Sequence, residues 1–256
     1  MRIRVLFQNE KPIELPINYN YYLSAAIYRS LNKSDPEFAF FLHEEGYITA
    51  KGKHFKLFTF SQLQAKKRQI IGDKIRFLSP ITWYVSSPSE NFLGNFAATL
   101  AECRHLFVGG TKLALKDLYI PKDPNFYERM NFTCLSPITI STVEENDGER
   151  ALHYCRPDEE DFSEKIQQNL IGKYEVLYGE LPPEKDFHIE FDPEYIKKRK
   201  GRITKLVKFK NIDVIGVMAP FTIEADPRLI KIGYECGFGD KNSAGFGMVE
   251  INRKKK

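Results

Sequence analysis

Polar and apolar residues alternate from Arg2 to Phe7, the period of a strand with one buried face. After a break at Pro16–Asn20, the stretch Tyr21–Leu31 spaces Leu23, Ile27 and Leu31 four residues apart. That spacing predicts a helix ending near Asn32, with Tyr28 beside its apolar stripe. Ser34-Asp35-Pro36 reads as a helix start with proline in the first turn, so a short second helix is predicted over Glu37–His43. Lys51-Gly52-Lys53-His54 forms a basic loop. Strands are predicted at Lys56–Phe60, Lys74–Leu78, Thr82–Val85 and Leu113–Ile120, with a helix at Ser89–Cys103.

Pro121-Lys122-Asp123-Pro124-Asn125 is polar, holds two prolines and lies near the chain midpoint, which marks it as a boundary. Beyond it the order repeats. Thr133–Thr142 predicts a strand, Glu159–Leu170 a helix, His188–Phe191 a strand and Ile203–Glu224 a strand pair. Ala225-Asp226-Pro227 opens a short helix, followed by a glycine-rich loop and a last strand. Each half thus reads as β-α-β-β-α-β. The fold class is α+β, two tandem ferredoxin-like (RRM-like) domains spanning 1–122 and 123–256 with a C-terminal glycine-rich loop.

Composition narrows the function classes. With 256 residues, 42% hydrophobic and 28% charged, the chain can bury ordinary cores. No apolar run approaches the ~20 residues needed to cross a bilayer, and no signal-peptide pattern opens the chain, so a cytoplasmic location and no membrane partner are expected. Cys103, Cys134, Cys155 and Cys236 are far apart with no C-x-x-C pair. They read as free thiols, neither a disulfide framework nor a zinc site, and no metal or cofactor is expected. His105, His153 and His188 show no partner pattern.

The net charge of +4 suits a polyanion without demanding one, but its distribution is uneven. Lys197, Lys198, Arg199, Lys200, Arg202, Lys205, Lys208 and Lys210 place eight positive charges in fourteen residues. From Arg202 they alternate with apolar residues, which predicts several charges along one strand face, suited to tracking a phosphate backbone. Lys66-Lys67-Arg68 and the terminal Arg253–Lys256 add further basic patches.

The loop Gly237-Phe238-Gly239-Asp240-Lys241-Asn242-Ser243-Ala244-Gly245-Phe246-Gly247 holds four glycines in eleven residues. Such a loop either makes tight turns or offers N–H groups to phosphates. It is not a dinucleotide fingerprint, because a predicted helix precedes it and a strand follows. No Gly-Lys-Ser or Gly-Lys-Thr is present for a Walker loop. Gly245-Phe246-Gly247-Met248-Val249 has a local likeness to an RNA-recognition signature.

Tyr28, His43 and Lys56 fall at helix and strand ends, which can converge on one sheet edge. A histidine, a lysine and a tyrosine fit metal-free RNA cleavage, in which the 2′-hydroxyl attacks its own phosphate. Imidazole serves as base or acid near neutrality, and an ammonium stabilises the phosphorane. Each also has an ordinary use: His43 as a helix C-terminal cation, Tyr28 in the core, Lys56 on the surface.

The segments Leu15–Tyr28, Phe41-Leu42-His43-Glu44 and Lys56–Ser61, with the Gly237–Gly247 loop, resemble the CRISPR-associated repeat-processing endoribonucleases of the repeat-associated (RAMP) superfamily. The resemblance spans the whole chain. It implies two ferredoxin-like domains across a cleft, and cleavage of CRISPR precursor RNA within repeats to give guide RNAs. A 2′,3′-cyclic phosphate would form without metal. It carries His43 onto the catalytic histidine, and Tyr28 and Lys56 onto its companions. Gly237, Gly239, Gly245 and Gly247 match the loop glycines, with Lys241, Asn242 and Ser243 as RNA contacts. The basic run Lys197, Lys198, Arg199, Arg202 and Lys205 joins the RNA-binding set. The insert Gly46–Phe55 departs from the pattern and leaves Lys53 or Lys56 to reach the phosphate, with His54 beside them. Effector-complex subunits and a second copy of the chain are further partners consistent with the resemblance. The alternative is a subunit that holds guide RNA without cutting.

Overall fold

The computed structural model describes residues 1–146, 149–183 and 185–252; the terminal basic residues 253–256 lie outside them. The alternating residues Arg2–Phe7 form a strand that buries Ile3, Val5 and Phe7. It lies at the centre of an antiparallel sheet, between Thr111–Tyr119 and Ile81–Ser86. Thr59–Phe60 pairs on the far side of Ile81–Ser86, and His105–Val108 on the far side of Thr111–Tyr119. Taking Arg2–Phe7, Thr59–Phe60, Ile81–Ser86 and Thr111–Tyr119 in chain order, the spatial order is 4-1-3-2.

The helices are α1 (Asn20–Ser34), α2 (Pro36–Glu44), α3 (Glu90–Cys103), α4 (Phe162–Tyr178), α5 (Pro193–Lys198) and α6 (Pro227–Cys236). Asp35 caps α2 by accepting from the Phe38 N–H at 3.0 Å, and Ser89 caps α3 in the same way, each satisfying an otherwise unpaired amide. Leu23, Ile27 and Leu31 of α1 bury against the sheet with Trp83, Phe92 and Phe96.

The second half repeats the plan. Arg129–Cys134 sits between Phe221–Glu224 and Val249–Ile251, with His188–Phe191 outermost. This is again the order 4-1-3-2 read from the last strand, with α4 and α6 as the two crossovers. The protein is therefore two ferredoxin-like domains, each on its own apolar cluster.

Several boundaries differ from the sequence expectation. The predicted strand Lys56–Phe60 is broken, because Leu57 takes a left-handed φ of 50° that no β ladder accommodates. His54–Phe55 instead pairs with Tyr47–Ile48. Thr133–Thr142 splits at Ser136-Pro137, and Ser141–Asn146 turns away to pair with Glu149–Tyr154. Ile203–Glu224 is a hairpin, Thr204–Phe209 with Ile212–Val217, followed by the separate strand Phe221–Glu224. The charges of that hairpin do not share one face: Lys205 alternates with Leu206, and Lys208 with Phe209.

The halves are tied together by charge as well as packing. The buried Arg2 guanidinium donates to the Val249 carbonyl at 2.8 Å and the Tyr234 carbonyl at 3.2 Å, and lies 3.8 Å over the Tyr234 ring. Phe55 and Leu57, from the first half, belong to the second half's apolar cluster. All four cysteines are free, with Cys134, Cys155 and Cys236 buried and Cys103 partly exposed.

Candidate active site

The site is built on α1. Asn20, Ser24 and Tyr28 are four residues apart and share one helix face. Asn20 Nδ2 donates to the carbonyls of Ala244 at 3.1 Å and Gly245 at 3.2 Å, and Ser24 Oγ donates to the Ser243 carbonyl at 2.8 Å. Tyr28, the third member of that face, has the Ser243 side chain near its hydroxyl. A polar stripe on α1 thus grips the tip of the Gly237–Gly247 loop. Sequence reasoning picked out Tyr28 but missed Asn20 and Ser24. The signal was there, two small polar residues at helical spacing before the tyrosine.

The remaining members converge from α2 and the chain that follows it. The Tyr28 and His43 rings meet edge to face with centroids 5.1 Å apart. Lys56 Nζ donates to the His43 carbonyl at 2.8 Å, at the C-terminal end of α2, where a cation is favoured. Gly46 makes this approach possible: a Cβ there would lie 2.9 Å from Lys56 Cδ and 2.5 Å from the Phe55 carbonyl. The His43 side chain is 63% exposed, and Glu44 Oε1 lies 2.6 Å from its Nδ1. Glu44 had been read only as part of a motif word. It leaves Nε2 as the open nitrogen of the ring.

The electrostatics differ along the site. Burial holds the Tyr28 phenol well above its usual range, with the Ser243 side chain acting the other way. That phenol stays protonated at any working pH. Burial lowers the Lys56 ammonium, and Glu44 and Glu45 oppose the shift. An ammonium has three N–H bonds, and only one is used on His43.

The loop itself is closed by protein. Gly237, Gly239, Gly245 and Gly247 are buried, while Lys241, Asn242 and Ser243 are partly exposed at the tip. At Gly245, with φ at 84°, a Cβ would overlap the Phe60 ring, so only glycine fits there. The Asn242 amide bridges the Phe238 and Phe246 carbonyls at 3.3 and 3.0 Å. From behind, the buried Lys173 Nζ donates to the carbonyls of Gly237 at 2.7 Å and Gly239 at 2.8 Å. Burial pushes that ammonium down to about 7.

The other candidates are spread out. Lys53 pairs with Asp240 at 3.4 Å, and His54 Nδ1 lies 2.8 Å from the Glu45 carbonyl. Neither touches Tyr28 or His43 in the contacts described. Lys197, Lys198 and Arg199 are exposed at the end of α5, and Arg202 is exposed just beyond it. Lys205 reaches Gln62 of the first half at 3.0 Å, and Lys210 lies 5.0 Å over the Tyr21 ring, so the basic hairpin leans across the join between the domains. A cavity of about 810 Å³ opens between residues 49–53 and α4. It is lined by Lys53, Asn169 and Asp240 but by none of Tyr28, His43 and Lys56. Asp161, Glu164, Glu175, Glu180 and Asp240 line it against Lys51, Lys53 and Lys165, so carboxylates outnumber ammoniums, a poor setting for a phosphate chain.

Residues 14–119 match the family model described as CRISPR-associated protein Cas6, N-terminal, and residues 121–251 the one described as CRISPR associated protein Cas6, C-terminal. The chain belongs to the Cas6 family. It is 34% identical to CRISPR-associated endoribonuclease Cas6 1 of Methanocaldococcus jannaschii, over all of this chain and 96% of that protein. Among solved structures, a Cas6-related gene product from Pyrococcus furiosus is similar with a TM-score of 0.84 and 27% identity, covering 100% of this chain and 99% of the other. An RAMP protein described as binding different RNA substrates gives a TM-score of 0.80 at 27% identity, covering 98% and 99%. Among the described residues, no helix is long and apolar enough to cross a membrane.

Proposed function

We propose that this chain is an endoribonuclease that cuts CRISPR precursor RNA within its repeats, with His43, Tyr28 and Lys56 at the scissile phosphate. One observation carries this: an exposed imidazole, a partly buried phenol and a partly buried ammonium meet at one helix end, beside a loop tip fixed by α1. The name of the methanocaldococcal relative supports the reaction class.

The 2′-oxygen attacks the adjacent phosphorus, and the bond from phosphorus to the 5′-oxygen breaks. The proton of the 2′-hydroxyl goes to the base, and the 5′-oxygen takes one from the acid, leaving a 2′,3′-cyclic phosphate and a 5′-hydroxyl. His43, open to solvent and oriented by Glu44, is the proton-transfer group. Tyr28 stays neutral and positions the phosphate or the 2′-hydroxyl by hydrogen bonding. Lys56 brings its free N–H bonds to the phosphorane oxygens. No step needs a metal. Lys241, Asn242 and Ser243 at the loop tip, with the basic hairpin, hold the flanking RNA. The division into domains 1–122 and 123–256 belongs to the same reading, supported by the two separate apolar clusters.

The test is cleavage of a labelled repeat RNA in EDTA, beside a copy with a single 2′-deoxy nucleotide at the cut site. Cutting of the first alone is the expected result. Tight binding with no cutting of either would overturn the catalytic assignment and leave a guide-holding subunit.

A further inference from the structure

Away from the catalytic edge, three donors of different chemistry converge at the base of the Ser141–Asn146/Glu149–Tyr154 hairpin. His153, Cys155 and Glu159 each offer one ligand atom, all within 4.8 Å of one another. His153 Nε2 lies 2.9 and 3.0 Å from the two carboxylate oxygens of Glu159. The turn that brings Glu159 back is closed by the Glu159 N–H donating to the Arg156 carbonyl at 3.1 Å. On the other side of the ring, Glu144 Oε1 lies 3.7 Å from His153 Nδ1. Metal-bound imidazoles commonly have a carboxylate on that second nitrogen, which fixes the tautomer.

We propose that His153, Cys155 and Glu159 form a zinc site, with Glu144 orienting the imidazole and water in the fourth position. A thiolate with an imidazole and a single carboxylate selects zinc over magnesium or calcium, which prefer all-oxygen shells. Tetrahedral zinc places donors about 3.3–3.7 Å apart, so the three side chains need only close in around the ion. The thiol already attracts a cation: Lys165 Nζ lies 3.3 Å from Cys155 Sγ. Lys165 also pairs with Asp161, which keeps it neutralised when the metal takes its place. On binding, the thiol proton leaves to solvent.

The site staples the hairpin to the start of α4. That helix carries Asn169, which bonds Asp240 at 2.8 Å, and Lys173, which holds the loop carbonyls. The zinc is therefore structural and takes no part in the cleavage described above.

The experiment uses untagged, EDTA-stripped full-length protein, titrated first with cobalt(II) and then with zinc. The expected result is one tightly held ion, a near-ultraviolet thiolate-to-cobalt band, and a higher melting temperature with zinc. The band and the shift should vanish in Cys155→Ser and persist in Cys103→Ser. Because Cys155 is buried and its replacement could disturb folding, Glu159→Gln provides a second variant, which should keep the far-ultraviolet dichroism and lose the ion. Glu144→Gln should weaken binding about 10–100-fold. No retained ion, a band that survives Cys155→Ser, or equal affinity in Glu159→Gln would overturn the site. A loss of cleavage on adding EDTA to Glu159→Gln, which holds no ion, would count against the metal-free reaction and not against this site.

Discussion

The two parts of the proposed catalytic edge are held very differently. The Gly237–Gly247 loop is fixed from three sides: by Asn20 and Ser24 in front, by Asn242 within, and by Lys173 behind. His43 is held by a neighbouring carboxylate and an edge-to-face ring contact, with most of its surface in water. Rigidity has been placed where position matters and exposure where substrate must enter. Damage to the loop should therefore appear as instability, and damage to the histidine as lost chemistry.

The largest effect should come from Gly247→Ala. A Cβ there would overlap the Phe238 carbonyl at a φ of 78°, and the backbone on both sides is fixed. A loss of about 3 kcal/mol is expected from the clash and the strained φ, measured by urea unfolding. His43→Ala should do the reverse. Cleavage of repeat RNA should slow about 100-fold, roughly 2.7 kcal/mol of barrier, with stability within about 0.5 kcal/mol of the parent. If the two variants exchanged these signatures, the division of labour would be wrong.

Ser24→Ala sits between the two regions. Removing its bond to the Ser243 carbonyl should cost about 1 kcal/mol of stability, with a rate loss no larger than that of Tyr28→Phe. A pH slope in stability should come from Lys173. Its ammonium titrates near 7 when folded, against 10.5 in its ordinary state. Between those values the unfolded chain binds more protons, so Lys173 makes stability rise with pH from about 7 to 10.5. Lys173→Met should lower the urea midpoint at every pH and flatten that rise. A parent-like slope in the variant would assign the titration to another group.

Most helices and long strands were legible because their apolar periods are long: Leu23, Ile27 and Leu31 in α1, and the alternation through Arg2–Phe7; α5 was hidden in a basic run, and α4 continues to Tyr178, eight residues beyond the expected end. The breaks were not legible. A left-handed leucine at position 57 has no sequence signal, and it decides which residues around Lys56 are strand. The pairing of Ser141–Asn146 with Glu149–Tyr154 was hidden because its apolar residues Val143 and Leu152 are exposed and mark no buried stripe. Tyr28, His43 and Lys56 were singled out by residue type and by a family resemblance, and the structure brings the three together. Glu44 had no such signal, and Asn20 and Ser24, though spaced at helical intervals before Tyr28, gain their roles only from how α1 meets a loop some 200 residues further along the chain. The glycines of that loop were noticed for their flexibility; their use here is to admit protein, because Phe60, Thr139 and Phe238 occupy the space a side chain would need.

The buried Arg2 has a consequence for how the chain is made. Its guanidinium sits in the first strand, and its acceptors are carbonyls at Tyr234 and Val249. Synthesis at about 5–20 residues per second separates donor from acceptors by roughly ten seconds or more. A first sheet that forms during that interval carries this charge on its central strand, exposed to water and still unpaired. The second domain therefore completes the first, and a chain stalled before its last strand would leave both unfinished.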